Sequence, residues 1–189
     1  MSLPKAGKTF VIMVVVDRLS KYVHFFPLPH PFTPELITQV FLDHIFKLHG
    51  MPTSIVSNRD PTFTSTFWQE LFKLQGTQLN MSTTYHPWSD GQTKVVNKCL
   101  ETYLRCFSSY KQHQWVQWIP LAEWWYNTFY HTTTKMTPYE VAYGQCPLTF
   151  TTYIPTKSKV QYIDIMLQGC TTTLAALKHI LHMAQNRMN

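Results

Sequence analysis

Long hydrophobic runs are missing from the chain. The longest, Phe10 to Val16, is far short of the roughly 20 apolar residues that a membrane-spanning helix needs, so membrane partners are not expected. That run leads straight into Asp17 and Arg18 without a small-residue cleavage site, which argues against a signal peptide. Cysteine is scarce: Cys99, Cys106, Cys146 and Cys170 are widely spaced and form no CxxC pair. Neither a zinc knuckle nor a disulfide framework is implied, and a reducing compartment fits. Acidic residues are outnumbered, 10 against 16 Lys and Arg, giving a net charge of +6. That balance favours an acidic partner such as nucleic acid, although many ordinary proteins are as basic. No internal repeat is present.

What is present suits one α/β domain: 189 residues, 44% of them apolar and 15% aromatic, can bury a substantial core. Residues 9–17 are rich in β-branched side chains, and a second extended run follows at Tyr22 to Leu28, which together read as a hairpin. Thr33-Pro34 opens a helix as N-cap and first-turn proline. Leu36, Ile37, Val40, Phe41, Ile45 and Leu48 recur at helical spacing until Gly50. A short buried strand is expected at Thr53 to Val56, a helix at Thr64 to Gln75 stopped by Gly76, and a strand at Gln78 to Ser82. Strands interleaved with helices point to a layered α/β sheet. Thereafter the pattern is helical, at Thr93 to Phe107, Trp115 to Tyr130 and Pro138 to Tyr143. The expected organisation is a domain over residues 1–147, a linker over 148–159, and a terminal helix from 160 to 189 with Gly169 as a weak point.

Four phrases carry a resemblance: VVVDRLSKYVHFFPL, FKLHGMPTSIVSNRDPTFTSTFWQELFKLQGTQLNMSTTYHP, DGQTKVVNKCLETYLRCF and LAEWWYNTFYHTTTKMTPYEVAYG. They are similar to the catalytic core of gypsy-type retrotransposon integrases, over almost the whole chain to about residue 147. The resemblance implies a ribonuclease-H-like fold, with a mixed sheet flanked by helices. It also implies an Asp, Asp, Glu set whose last two members are separated by thirty-five residues and which holds two divalent metals for DNA end trimming and joining. Magnesium or manganese suits such an oxygen-rich site in intact members. A nuclear location is implied in the same way.

This sequence departs from that pattern. The phrase matching the family's second aspartate is Ser57-Asn58-Arg59-Asp60-Pro61, so Asn58 stands at the metal position. The phrase matching its glutamate is Asp90-Gly91-Gln92-Thr93-Lys94, so Lys94 replaces the glutamate, and thirty-five residues separate 58 from 94. The strand bearing the first aspartate precedes a GLPK-like phrase in the family. This chain reads MSLPK from Met1, so the position of that strand and its acid falls upstream of Met1. Both are expected to be missing, with strand edges left exposed. Asp17, at the end of an apolar run, is read as capping the turn around Ser20. At about 4 Å and an effective dielectric near 20, a unit-charge pair is worth on the order of 4 kcal/mol, so exchanging Glu for Lys reverses a large contribution to cation binding. No metal cofactor is expected. Both exchanges, Asp to Asn and Glu to Lys, can arise from single G-to-A codon changes.

The resemblance places Tyr85 and Trp88 on a loop at the active-site rim, followed by a helix bearing Lys94, Asn97, Lys98 and Arg105. The three basic residues lie close to one helical face. Weak phosphate contacts to DNA and a merely solvated basic face both account for it. Trp88 is the one tryptophan in a polar loop, where it can stack on a base or a partner side chain. Trp68, Trp115, Trp118, Trp124 and Trp125 fall in apolar helical patterns and are assigned to the core. The nine histidines are read as surface or capping residues. Two functions stay open: an inactive integrase core with residual nucleic-acid binding, or a protein-interaction module, as a homo-oligomer or in association with intact integrases.

Overall fold

In the computed structural model, the described residues are 9–82, 91–108, 112–132, 134–147, 153–154 and 159–186. The hairpin forms as expected. β1 (Thr9–Val16) pairs antiparallel with β2 (Val23–Pro29), with an irregularity between Thr9 and Val11. Its turn closes through the Asp17 amide on the Tyr22 carbonyl at 2.9 Å and the Lys21 amide on the Asp17 carbonyl at 3.0 Å. Period-two alternation divides β1 between two cores. Ile12, Val14 and Val16 pack with Val23 and Phe25 against one hydrophobic cluster, while Val11, Met13 and Val15 pack with Leu28 against another.

The second cluster is built by α1 (Pro34–Phe41) and α4 (Thr66–Leu74), which contribute Ile37, Phe41, Trp68 and Phe72. Thr33 caps α1 by accepting from the Leu36 amide at 3.3 Å. The helix runs on through a π-helical turn, Leu42–Phe46, into α2 (Lys47–His49) and stops at Gly50, whose φ of 74° lies outside the ordinary range of L side chains. β3 (Ser54–Ser57) pairs parallel with β4 (Gln78–Met81), and the connection passes through α3 (Pro61–Thr64) and α4.

The first cluster is closed by α5 (Gly91–Ser108) and α6 (Ile119–Thr128), with Leu100, Tyr103, Trp115 and Trp125 among its members. Sequence periodicity anticipates a single helix from Trp115 to Tyr130. The chain instead forms a 3-10 segment, Gln112–Trp118, and only then α6. Pro120 supplies the reason: it has no amide proton to continue an α-helical ladder and is tolerated only in the first turn. α7 (Pro138–Tyr143) starts with a capping box between Thr137 and Glu140, and α8 (Gln161–Asn186) continues without a break through Gly169.

The strands do not make one mixed sheet. Among the described residues they form two separate pairs, β1-β2 and β3-β4, with no hydrogen-bonded ladder joining them. Between them lies a cavity of about 880 Å³, lined by Val11–Val16 of β1 and by residues 52–58 around β3. No described helix is long and apolar enough to cross a membrane. Most of the expected linker, and therefore the proposed domain partition, lies outside the described residues.

Candidate nucleic-acid and metal-site region

Of the positions singled out by the resemblance, Asn58 and Asn97 line the cavity, whereas Lys94, Lys98 and Arg105 are not among its lining residues. Asn58 leaves the end of β3 exposed, and its side-chain oxygen accepts from the Asp60 amide at 3.3 Å. Asp60 caps α3 by accepting from the Thr62 amide at 3.0 Å. Gln92, Thr93 and Asn97, from the first turns of α5, line the cavity with Asn58, Asp60 and Asp17. Lys94 and Lys98 are exposed on α5. Arg105 is exposed as well, and its guanidinium is engaged by Glu101 one turn earlier. Tyr85 and Trp88 lie outside the described residues. So does Met1, and the first described strand is β1, which ends beside Asp17.

Asp17 is committed to its turn, as expected from the sequence. Its Oδ2 accepts from the Ser20 amide at 2.8 Å and from the Ser20 hydroxyl at 2.5 Å. Burial pushes the carboxyl upward, but the Ser20 hydrogen bonds and a backbone bond from Leu19 outweigh it, and the net effect is a pKa below the usual value. Magnesium asks for several oxygen ligands around one point. Asn58 brings a neutral amide and Lys94 an ammonium to the positions singled out by sequence. The two carboxylates lining the cavity, Asp17 and Asp60, both accept capping hydrogen bonds. Among the described residues no group of three or more His, Cys, Asp and Glu is placed to hold a metal ion.

Trp68, Trp115 and Trp125 are buried, and Trp118 and Trp124 pack against the first cluster, in line with their core assignment. The histidines require a correction. His24 is not a surface residue: it is 7% exposed, because the alternation of β2 turns it inward on the same face as Phe26 and Leu28. Its Nδ1 lies 3.1 Å from Glu123 Oε1 and its Nε2 lies 3.1 Å from His49 Nε2. Burial, then the neighbouring His24, depresses the His49 pKa, and Asp17 opposes them. Burial, followed by the phenol of Tyr143, pushes Tyr22 well above its ordinary value.

Sequence reading also passes over Glu123 and Asn127. Glu123 Oε2 accepts from the Phe25 amide at 2.8 Å. Asn127, one turn on, accepts from the Val23 amide at 2.8 Å and donates to the Val23 carbonyl at 2.9 Å. Glu123 and Asn127, four apart in a mostly apolar helix, are the available signal.

No protein-family model matches the chain. Among curated proteins, it is similar to the Transposon Tf2-3 and Tf2-4 polyproteins of Schizosaccharomyces pombe (strain 972 / ATCC 24843). Each is 32% identical over 146 residues, covering 77% of this chain but 11% of the polyprotein. Among solved structures, a chain of the simian T-cell lymphotropic virus intasome in complex with PP2A regulatory subunit B56 gamma superposes with a TM-score of 0.62 at 20% identity. That match covers 78% of this chain and 54% of the other. The HTLV-2 integrase catalytic core domain in complex with magnesium gives a TM-score of 0.56 at 20% identity, over 69% of this chain and 82% of that one. The BIV integrase catalytic core domain gives 0.55 at 21% identity, over 73% and 88%. The chain is thus similar, over about a tenth of their length, to the Tf2 transposon polyproteins and has the fold of an integrase catalytic core.

Proposed function

We propose that this chain is a degenerate integrase core, which keeps the fold of a DNA-integrating enzyme and a weak phosphate-mediated hold on DNA but does not carry out strand transfer. One observation carries the reading: Asn58 at the end of β3 and Lys94 in the first turns of α5, with thirty-five residues between them, occupy the two positions where the resemblance calls for metal-binding carboxylates. An amide and an ammonium cannot neutralise two dications. When bound in an intact core, such ions activate the attacking oxygen and stabilise the leaving one. Residual DNA binding falls to Lys94, Asn97 and Lys98, with Tyr85, Trp88 and Arg105 as further contacts, and the site of action is the nucleus.

The test is titration of magnesium and manganese into the purified protein, with strand transfer assayed in parallel on DNA ends. No metal uptake at this site and no joining are expected. Stoichiometric uptake accompanied by joining overturns the reading and places the metal carboxylates elsewhere in the chain.

A second reading, a protein-interaction or oligomerisation module, is favoured by α8. At its start Tyr162, Ile165 and Met166 are at least half exposed, and a run of apolar side chains facing solvent is a common mark of an association surface. Sedimentation distinguishes the two: a stable oligomer with no DNA affinity supports the module, and a DNA-binding monomer excludes it.

A further inference from the structure

Two imidazoles converge at the cavity, in a cluster independent of the Asn58 and Lys94 positions. His24 comes from β2 and His49 from the last residue of α2, and both line the cavity. Their Nε2 atoms are 3.1 Å apart. Glu123 faces the other nitrogen of His24 at 3.1 Å, so His24 holds its proton on Nδ1 and turns the Nε2 lone pair towards His49. The carboxylate is itself fixed, because its second oxygen takes the Phe25 amide at 2.8 Å. Tyr22 and Phe26 pack around the His24 ring at centroid distances of 5.1 and 5.9 Å. One imidazole is therefore buried, oriented and locked as a single tautomer by a carboxylate, the arrangement that supports metal-ligating histidines.

We propose that His24 and His49 chelate a late first-row divalent cation, copper(II) or zinc(II), with Glu123 as the positioning residue behind His24. Imidazole nitrogens bind such ions at about 2.0–2.1 Å. Two bonds of that length ending 3.1 Å apart subtend roughly 95–100° at the metal, between square-planar and tetrahedral values. His49 moves its proton from Nε2 to Nδ1, so both nitrogens donate lone pairs and no redox step is involved. His49 is exposed, and no third His, Cys, Asp or Glu among the described residues completes the set. The remaining coordination positions are filled by water or an incoming ligand, as in open sites. Copper(II) binds ahead of zinc(II) by the general order of affinities, whereas magnesium, which seeks oxygen, does not bind here.

The experiment is calorimetric titration of copper(II) and zinc(II) into the full chain in a non-coordinating buffer, with electron paramagnetic resonance of the copper form. One equivalent and a signature of two nitrogen ligands are expected. His49→Ala, at an exposed position, weakens that equivalent by about tenfold or more, His49→Cys restores it for zinc(II), and Glu123→Gln weakens it by about 10–100-fold. Circular dichroism confirms that each variant is folded. No uptake by the unaltered chain, or uptake that His49→Ala leaves unchanged, overturns the proposal and leaves the contact as an imidazole–imidazole hydrogen bond. Because the readout is neither magnesium binding nor strand transfer, its failure is separable from failure of the integrase-core reading.

Discussion

Asn127 shows how one side chain can take the place of a strand. Among the described residues β2 pairs with β1 alone, and the amide and carbonyl of Val23 on its other edge are met by the Asn127 carboxamide within the buried core. Removing that carboxamide strands a buried donor and a buried acceptor, each costing about 1–3 kcal/mol. Asn127→Ala should therefore lower unfolding free energy by about 2–4 kcal/mol, read from the midpoint of urea denaturation. Asp17 makes a pH-dependent contribution of known sign. Its pKa is depressed in the fold, so the stability it adds is present above its unfolded pKa and is lost as pH falls through the folded value. Asp17→Asn should flatten the acid limb of stability measured below about pH 4 and lower stability at neutral pH, where the depressed carboxyl contributes in full.

At the scale of elements, helix ends carry the clearest consequences. Gly50 closes the α1–α2 run with φ 74° and ψ −170°, a region open essentially to glycine alone. Gly50→Ala should cost about 1–3 kcal/mol, even though nothing lies within 4 Å of the added methyl. The penalty is in the backbone and not in packing. Thr137 caps α7 by accepting from the Glu140 amide at 3.1 Å, and Glu140 returns the contact to the Thr137 amide at 2.8 Å. Thr137→Ala should lower thermal stability by about 1 kcal/mol. Both ends are legible in the sequence, because glycine after the last apolar repeat and threonine-proline before the first are local signals. The 3-10 segment before α6 is not. Apolar spacing runs through it, and the missing amide of Pro120 overrules the period.

For the whole molecule, the net charge of +6 matters only where cations share a face. Lys94 and Lys98 are exposed one turn apart on α5, while Arg105 is held by Glu101. If the lysines contact phosphates, Lys94→Ala with Lys98→Ala should weaken DNA binding and reduce the slope of log affinity against log salt by about 1.8, at about 0.9 per contact. Filter binding across a salt series measures this. An unchanged slope would assign that helix face to solvent.

Local patterns determined the hairpin, the helix caps, the core tryptophans and the turn role of Asp17, because each depends on residues within a few positions of one another. The thirty-five-residue interval between Asn58 and Lys94 was likewise legible, since a resemblance fixes register without coordinates. Only the tertiary structure decided that the strands form two pairs around a cavity, that His24 turns inward to meet His49, and that Glu123 and Asn127 on α6 grip β2. Those contacts join residues separated by 25 to 104 positions, and their strength depends on burial. Neither the separation nor the desolvation that makes such polar contacts decisive is written in the periodicity of the chain.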